Sequence, residues 1–195
     1  MKPLILASAS PRRREILQNA GIPFTVLVTN ADESLPSGTA PGEAVRLLSL
    51  RKAEAALREA PAGAVVLAAD TVVAAKDETG VEVILGKPHT AEKATAMLRL
   101  LSGKTHRVLT GITLTDGKTT VTDCVSTDVV MRELSDREIA RYVATGAPLD
   151  KAGAYGIQER AGVFVRGLSG DYFNVVGLPL ARTAEILRET FDFDI

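Results

Sequence analysis

The stretch Pro3-Leu4-Ile5-Leu6-Ala7-Ser8-Ala9-Ser10-Pro11-Arg12-Arg13-Arg14-Glu15-Ile16-Leu17 opens the chain and sets its architecture. Pro3 to Ala7 is apolar enough for a buried strand, and a helix-like stretch runs from Pro11 to Ala20. Ser10 reads as an N-cap and Pro11 as the first helical residue. Arg12, Arg13 and Arg14 then fall in the first turn, at the positive end of the helix dipole, where each cation is unfavourable by about 0.3–1 kcal/mol. Backbone N–H groups, two serine hydroxyls and guanidinium groups at a strand end make a cradle for a polyphosphate. A solvated turn whose arginines pair with acidic side chains is the competing reading.

Strands and helices continue to alternate along the chain. Phe24 to Val28 reads as a short strand, and Ser34 to Pro41 as a loop rich in Pro, Gly and Ser. Gly42 to Ala60 is a helix stopped by Pro61. Ala64 to Ala75 is a long apolar strand, with Val81 to Leu85 pairing back across a polar turn. Ala91 to Leu101 is helical. Arg107 to Thr115 and Thr119 to Met131 form a hairpin about Asp116-Gly117, and Ser135 with Glu138 makes a capping box for the next helix. Val163 to Arg166 and Tyr172 to Val176 read as short strands, and Leu180 to Thr190 as a closing helix. The expected class is α/β, a mixed twisted sheet flanked by helices.

The 195 residues are 46% apolar and 24% charged, the balance of a globular protein with a substantial core. With 23 basic against 24 acidic residues the net charge is −1, which argues against general nucleic-acid binding. One cysteine, Cys124, rules out an intramolecular disulfide, and two histidines, His89 and His106, are too few for a zinc site. No signal peptide or long apolar run is recognisable, so the expectation is a cytoplasmic protein without a membrane partner. Gly103-Lys104-Thr105 looks like the end of a P-loop, but Leu98 stands where that motif requires glycine. Cys124, within a β-rich run, is expected to be a core residue rather than a nucleophile.

Asp70 interrupts Val65-Val66-Leu67-Ala68-Ala69-Asp70-Thr71-Val72-Val73. A carboxylate in such a run must reach an open strand end or be paired with a cation or metal. It is the leading candidate for a general base or metal ligand, with a structural ion pair as the alternative. Lys52 shares a helix face with Val45, Leu48 and Ala56, so it either snorkels or reaches a phosphate. Lys87 lies in the constrained turn Leu85-Gly86-Lys87-Pro88. Asp32 and Glu33, with Asp70, supply oxygens suited to Mg²⁺. Pro148 to Gln158 combines small residues with Asp150, Lys151, a stacking face on Tyr155, and Gln158, whose amide matches the donor and acceptor edge of uracil or thymine.

Five separated motifs, Ser8-Ala9-Ser10-Pro11-Arg12-Arg13, Ala69-Asp70-Thr71-Val72, Gly86-Lys87-Pro88, Leu149 to Gln158 and Val175-Val176-Gly177-Leu178-Pro179, together resemble the Maf family of nucleoside triphosphate pyrophosphatases. The resemblance runs from Pro3 to about Leu187. It implies a single Maf-like domain over residues 1–195, built of two closely packed lobes around a central cleft and similar to inosine triphosphate pyrophosphatases. It also implies a homodimer and metal-dependent hydrolysis, with Mg²⁺ or Mn²⁺, of a nucleoside triphosphate to the monophosphate and pyrophosphate. By the same resemblance Asp70 is the catalytic aspartate, and Ser8, Arg12, Arg13, Lys52 and Lys87 bind phosphate. Glu33 joins Asp70 at the metal. Arg12, Thr71 and Gln158 mark the branch acting on dTTP and UTP, and Asp150, Lys151 and Tyr155 belong to the base-binding loop. Ala9 stands where many relatives have glycine, and Gly86 where an acidic residue is frequent. Maf proteins are also linked to septum formation, so the alternative expectation is a nucleotide-sensing regulatory protein with a cell-division partner.

Overall fold

The structure, a computed structural model, describes residues 2–195. Strand β1 (Leu4–Leu6) leads into helix α1 (Pro11–Asn19), and the short β2 (Thr25–Val26) precedes α2 (Pro41–Leu57). Strands β3 (Val65–Lys76) and β4 (Glu82–Leu85) follow, then α3 (Ala91–Leu101), β5 (Thr105–Thr115), β6 (Thr120–Met131) and α4 (Asp136–Val143). The chain closes with β7 (Val165–Ser169), α5 (Tyr172–Val176) and α6 (Leu180–Phe191). Seven strands form one mixed sheet in the order β2-β1-β3-β5-β6-β7, with β4 added to β3. β1 is parallel to β2 and β3, whereas β4 runs antiparallel to β3 and β7 antiparallel to β6. The expected α/β class with a mixed sheet is therefore what the chain forms.

The chain divides into two compact units. The first comprises Met1–Asp70, Thr110–Val125 and Gly177–Ile195, the second Thr71–Leu109 and Ser126–Val176. In the first unit Ile5 of β1, Ala7 just after it, Ala53 and Ala56 of α2, and Val66 and Ala68 of β3 are buried together. Small residues let α2 lie close to the sheet, and Gly111 of β5 takes this furthest. A Cβ there would fall inside the Val45 carbonyl and 2.9 Å from the Arg46 nitrogen. In the second unit Val73, Leu85, Leu98, Leu101, Met131, Ile139 and Phe164 belong to one buried cluster.

Several local expectations hold. Pro11 is the first residue of α1, though Ser10 makes no capping bond through its hydroxyl. Instead the Ser10 N–H donates to Ser8 Oγ at 3.2 Å, which turns that hydroxyl into the fixed point of the turn. Around Asp116-Gly117, Asp116 Oδ1 accepts from the N–H groups of Lys118 and Thr119 at 3.0 and 2.9 Å. Ser135 and Glu138 form the reciprocal box, and Arg132 first, then the Ser135 bonds, hold the Glu138 carboxyl down at about 2.

Three expectations fail. Tyr172 to Val176 is helical, because Asp171 Oδ1 accepts from Phe173 N at 2.7 Å and Asn174 N at 3.2 Å and so starts a helical turn. The strand expected at Val163 to Arg166 begins two residues later, since a 3-10 turn occupies Arg160–Phe164 and Arg132 Nε binds the Val163 carbonyl at 2.9 Å. Cys124 is half-buried on β6 rather than in the core. Among the described residues no helix is long and apolar enough to cross a membrane.

Candidate active site

In the first unit, the turn between β1 and α1 brings Arg13 back over Ser8. Arg13 Nη1 donates to Ser8 Oγ at 3.1 Å, and its Nε donates to the Gly177 carbonyl at 2.7 Å. Gly177 belongs to the Val175-Val176-Gly177-Leu178-Pro179 motif, whose contribution sequence reasoning did not assign. It supplies a carbonyl that aims a guanidinium. Burial lowers the Arg13 pKa, the Asp70 charge opposes that shift, and the Arg12 charge adds to it. Arg12, Arg13 and Asp70 thus feel one another's charge, and a basic field is concentrated at this strand end.

Asp70 lies on β3, the last residue of the first unit, and its side chain is 14% exposed. Lys52 reaches it from α2, with Nζ 2.5 Å from Asp70 Oδ1 and 2.8 Å from Glu33 Oε1. Val45, Leu48 and Ala56 of its helix face are buried, and its ammonium bridges two carboxylates. Asp32 behaves differently from Glu33. Its oxygens accept from the Ser34 N–H and hydroxyl at 2.9 and 2.8 Å, closing the turn and lowering the Asp32 pKa. Arg51 Nη1 fixes the same turn through the Ser34 carbonyl at 2.6 Å.

In the second unit Thr71 is half-buried, directly after Asp70 in the chain, and Lys87 is exposed at the end of β4. The turn holding Lys87 is tied to the loop at 147–159: Gly153 N donates to the Gly86 carbonyl at 3.2 Å, and His89 N to the Leu149 carbonyl at 3.3 Å. Gly153 and Ala154 both adopt left-handed backbone, with φ of 66° and 63°. A Cβ on Gly153 would meet Val73 Cγ2 at 2.8 Å, so position 153 has neither the conformation nor the space for another residue.

Tyr155 departs from its expected stacking role. It is 6% exposed, its hydroxyl lies 2.7 Å from His106 Nε2, and the two rings meet edge to face at 5.4 Å. Burial pushes the tyrosine up and lowers the His106 pKa to about 4. His106 escaped sequence reasoning because a lone histidine in a strand carries no local signal. Asp150 Oδ1 binds Lys151 Nζ at 2.9 Å, and Lys151, 7% exposed, turns inward. Gln158 is exposed.

Two carboxylate oxygens that already share one cation are a donor set suited to a hard divalent ion. Glu33 and Asp70 therefore fit Mg²⁺ or Mn²⁺. Among the described residues no group of three His, Cys, Asp or Glu side chains forms a metal cage, so such an ion would need phosphate and water oxygens as well.

The family model described as Maf-like protein matches residues 3–190. A dTTP/UTP pyrophosphatase of Geobacillus sp. (strain WCH70) is 49% identical over 188 residues, covering 96% of this chain and 98% of that protein. One from Alkaliphilus metalliredigens (strain QYMF) is 45% identical over 197 residues, with both chains covered in full (100% each). One from Symbiobacterium thermophilum is 48% identical over 189 residues, covering 97% and 94%. Among solved structures, the Staphylococcus aureus Ham1 protein aligns at a TM-score of 0.44 and 12% identity over 67% of this chain and 72% of that chain.

Proposed function

The chain belongs to the Maf family, and from that membership we propose that it is a nucleoside triphosphate pyrophosphatase acting on dTTP and UTP. The observation that carries the reading is Asp70: a carboxylate in the middle of β3, held by Lys52 and lying in the field of Arg13. A water beside that carboxylate has a proton acceptor, and a triphosphate beside those cations has its charge neutralised. The names borne by relatives that match nearly the whole chain support the same reading.

Ser8, Arg12, Arg13, Lys52 and Lys87 bind and orient the phosphates. Asp70 orients water and takes its proton as the water oxygen attacks the α phosphorus. The new P–O bond forms as the bridge from the α phosphorus to the β phosphate breaks, and pyrophosphate leaves with the electron pair. The products are the nucleoside monophosphate, pyrophosphate and the proton passed through Asp70. No covalent intermediate is needed. Glu33 and Asp70 would hold Mg²⁺ or Mn²⁺, whose chemistry when bound is to neutralise charge on phosphate oxygens. Arg12, Thr71 and Gln158 set selectivity, and the Gln158 amide offers both a donor and an acceptor to a pyrimidine edge. A homodimer in the cytoplasm completes the reading.

Pyrophosphate release from dTTP, UTP, CTP, ATP, GTP and 7-methyl-GTP, with Mg²⁺, Mn²⁺ or a chelator, tests it. Metal-dependent turnover of dTTP and UTP above the purines is expected. Silence across the panel from folded protein that still binds nucleotide would replace this reading with the regulatory one.

A further inference from the structure

Lys151 has an unusual environment for a lysine in a loop. Its side chain is 8% exposed, and Nζ donates to the Ala147 carbonyl at 2.7 Å and Asp150 Oδ1 at 2.9 Å while pairing with Glu159 Oε2 at 3.2 Å. An ammonium has three N–H donors, and three acceptors surround this one. Nothing remains to offer a substrate. The stem of the side chain lies across Gly156, where a Cβ would come within 3.0 Å of Lys151 Cε and 3.1 Å of Cδ. The lysine therefore joins the start of the loop to its far end, and Gln158 precedes Glu159 directly.

We propose that Lys151 is a positioning residue for base selection: through its pair with Glu159 it fixes Gln158, and it makes no contact with the base. The proposal rests on the assignment of Gln158 to pyrimidine recognition. An exposed amide on an unanchored loop samples many directions, and its preference for one base edge is diluted accordingly. Glu159 bound to a buried cation narrows that range. The left-handed Ala154 and the buried Tyr155–His106 bond hold the middle of the same loop, so the Lys151–Glu159 pair holds the end that carries the amide.

The test is a double-mutant cycle read as the ratio of kcat/KM for UTP to that for GTP, using Lys151→Met, Gln158→Ala and the double variant. Lys151→Met is expected to lower the ratio by about 3- to 10-fold, the scale of one misplaced hydrogen bond, and to lower it no further once Gln158 is already alanine. An equal fall in both backgrounds, or none in either, overturns the proposal. Glu159→Gln, at the more exposed end of the pair, is expected to repeat the pattern and serves if Lys151→Met does not fold. A ratio untouched by Gln158→Ala alone would instead overturn the assignment of Gln158, and the role of Lys151 with it.

Discussion

Asp70 was legible because a carboxylate within an apolar strand cannot remain without compensation. The cation that compensates it was not legible: Lys52 lies on another element, and only the packing of α2 against the sheet brings its ammonium to Asp70 and Glu33. If Asp70 is the general base, Asp70→Asn should lower turnover of UTP by on the order of 10²–10⁴-fold, with the amide still able to accept a bond from Lys52. Steady-state rates decide this, and near-normal turnover would remove Asp70 from that role. His106 gives a second, independent expectation. Burial lowers its pKa from 6.5 to about 4, so between those values the unfolded chain binds a proton that the folded chain refuses. Stability is therefore full above about pH 6.5 and declines as pH falls towards 4, by up to about 3 kcal/mol at 1.4 kcal/mol per pKa unit. His106→Gln keeps a hydrogen-bonding group near the Tyr155 hydroxyl without the titration. Its urea-unfolding stability should fall less than the wild type's over the same interval.

At the level of elements, periodicity and turn chemistry located most strands and helices, because those signals are local. α5 was missed for a local reason too. Tyr172-Phe173-Asn174-Val175-Val176 has strong β propensity, and a single cap from Asp171 outweighs it, helped by Asn174 Nδ2 donating to the Val108 carbonyl and Thr127 Oγ1 at 2.9 Å each. Gly111 is the reverse case. A glycine inside an apolar strand signals close backbone approach, and its partner, Val45 of α2, emerges only from the fold. Gly111→Ala must push α2 away from β5, at a cost of about 1–3 kcal/mol for overpacking. Because α2 also carries Lys52, turnover should fall together with the urea midpoint. A variant with unchanged midpoint would mean that the helix has room to retreat.

For the whole molecule, composition excluded broad functional classes, and the order of five motifs pointed to the family before any contact was known. Two lobes were expected from the resemblance, but which segments make up each compact unit was hidden, since neither unit is a continuous piece of chain. The path passes from one to the other after Asp70, Leu109, Val125 and Val176. β3, β5 and β6 each contribute residues to both. A fragment of residues 1–70 lacks the Thr110–Val125 and Gly177–Ile195 segments of its own unit, and it should show no cooperative thermal transition by circular dichroism. A sharp transition in that fragment would mean that the first segment carries its own core.

The same winding path bears on how such a protein can change over generations. Modular proteins exchange parts when a recombination breakpoint falls in a linker, and each product inherits a complete piece. Here any single breakpoint between β1 and β7 separates strands that complete the same unit, so a chimera inherits two unfinished halves drawn from different parents. Only parents that agree on packing on both sides of the breakpoint give a folded descendant. The lineage is thus left to vary by substitution in place and by lengthening of loops.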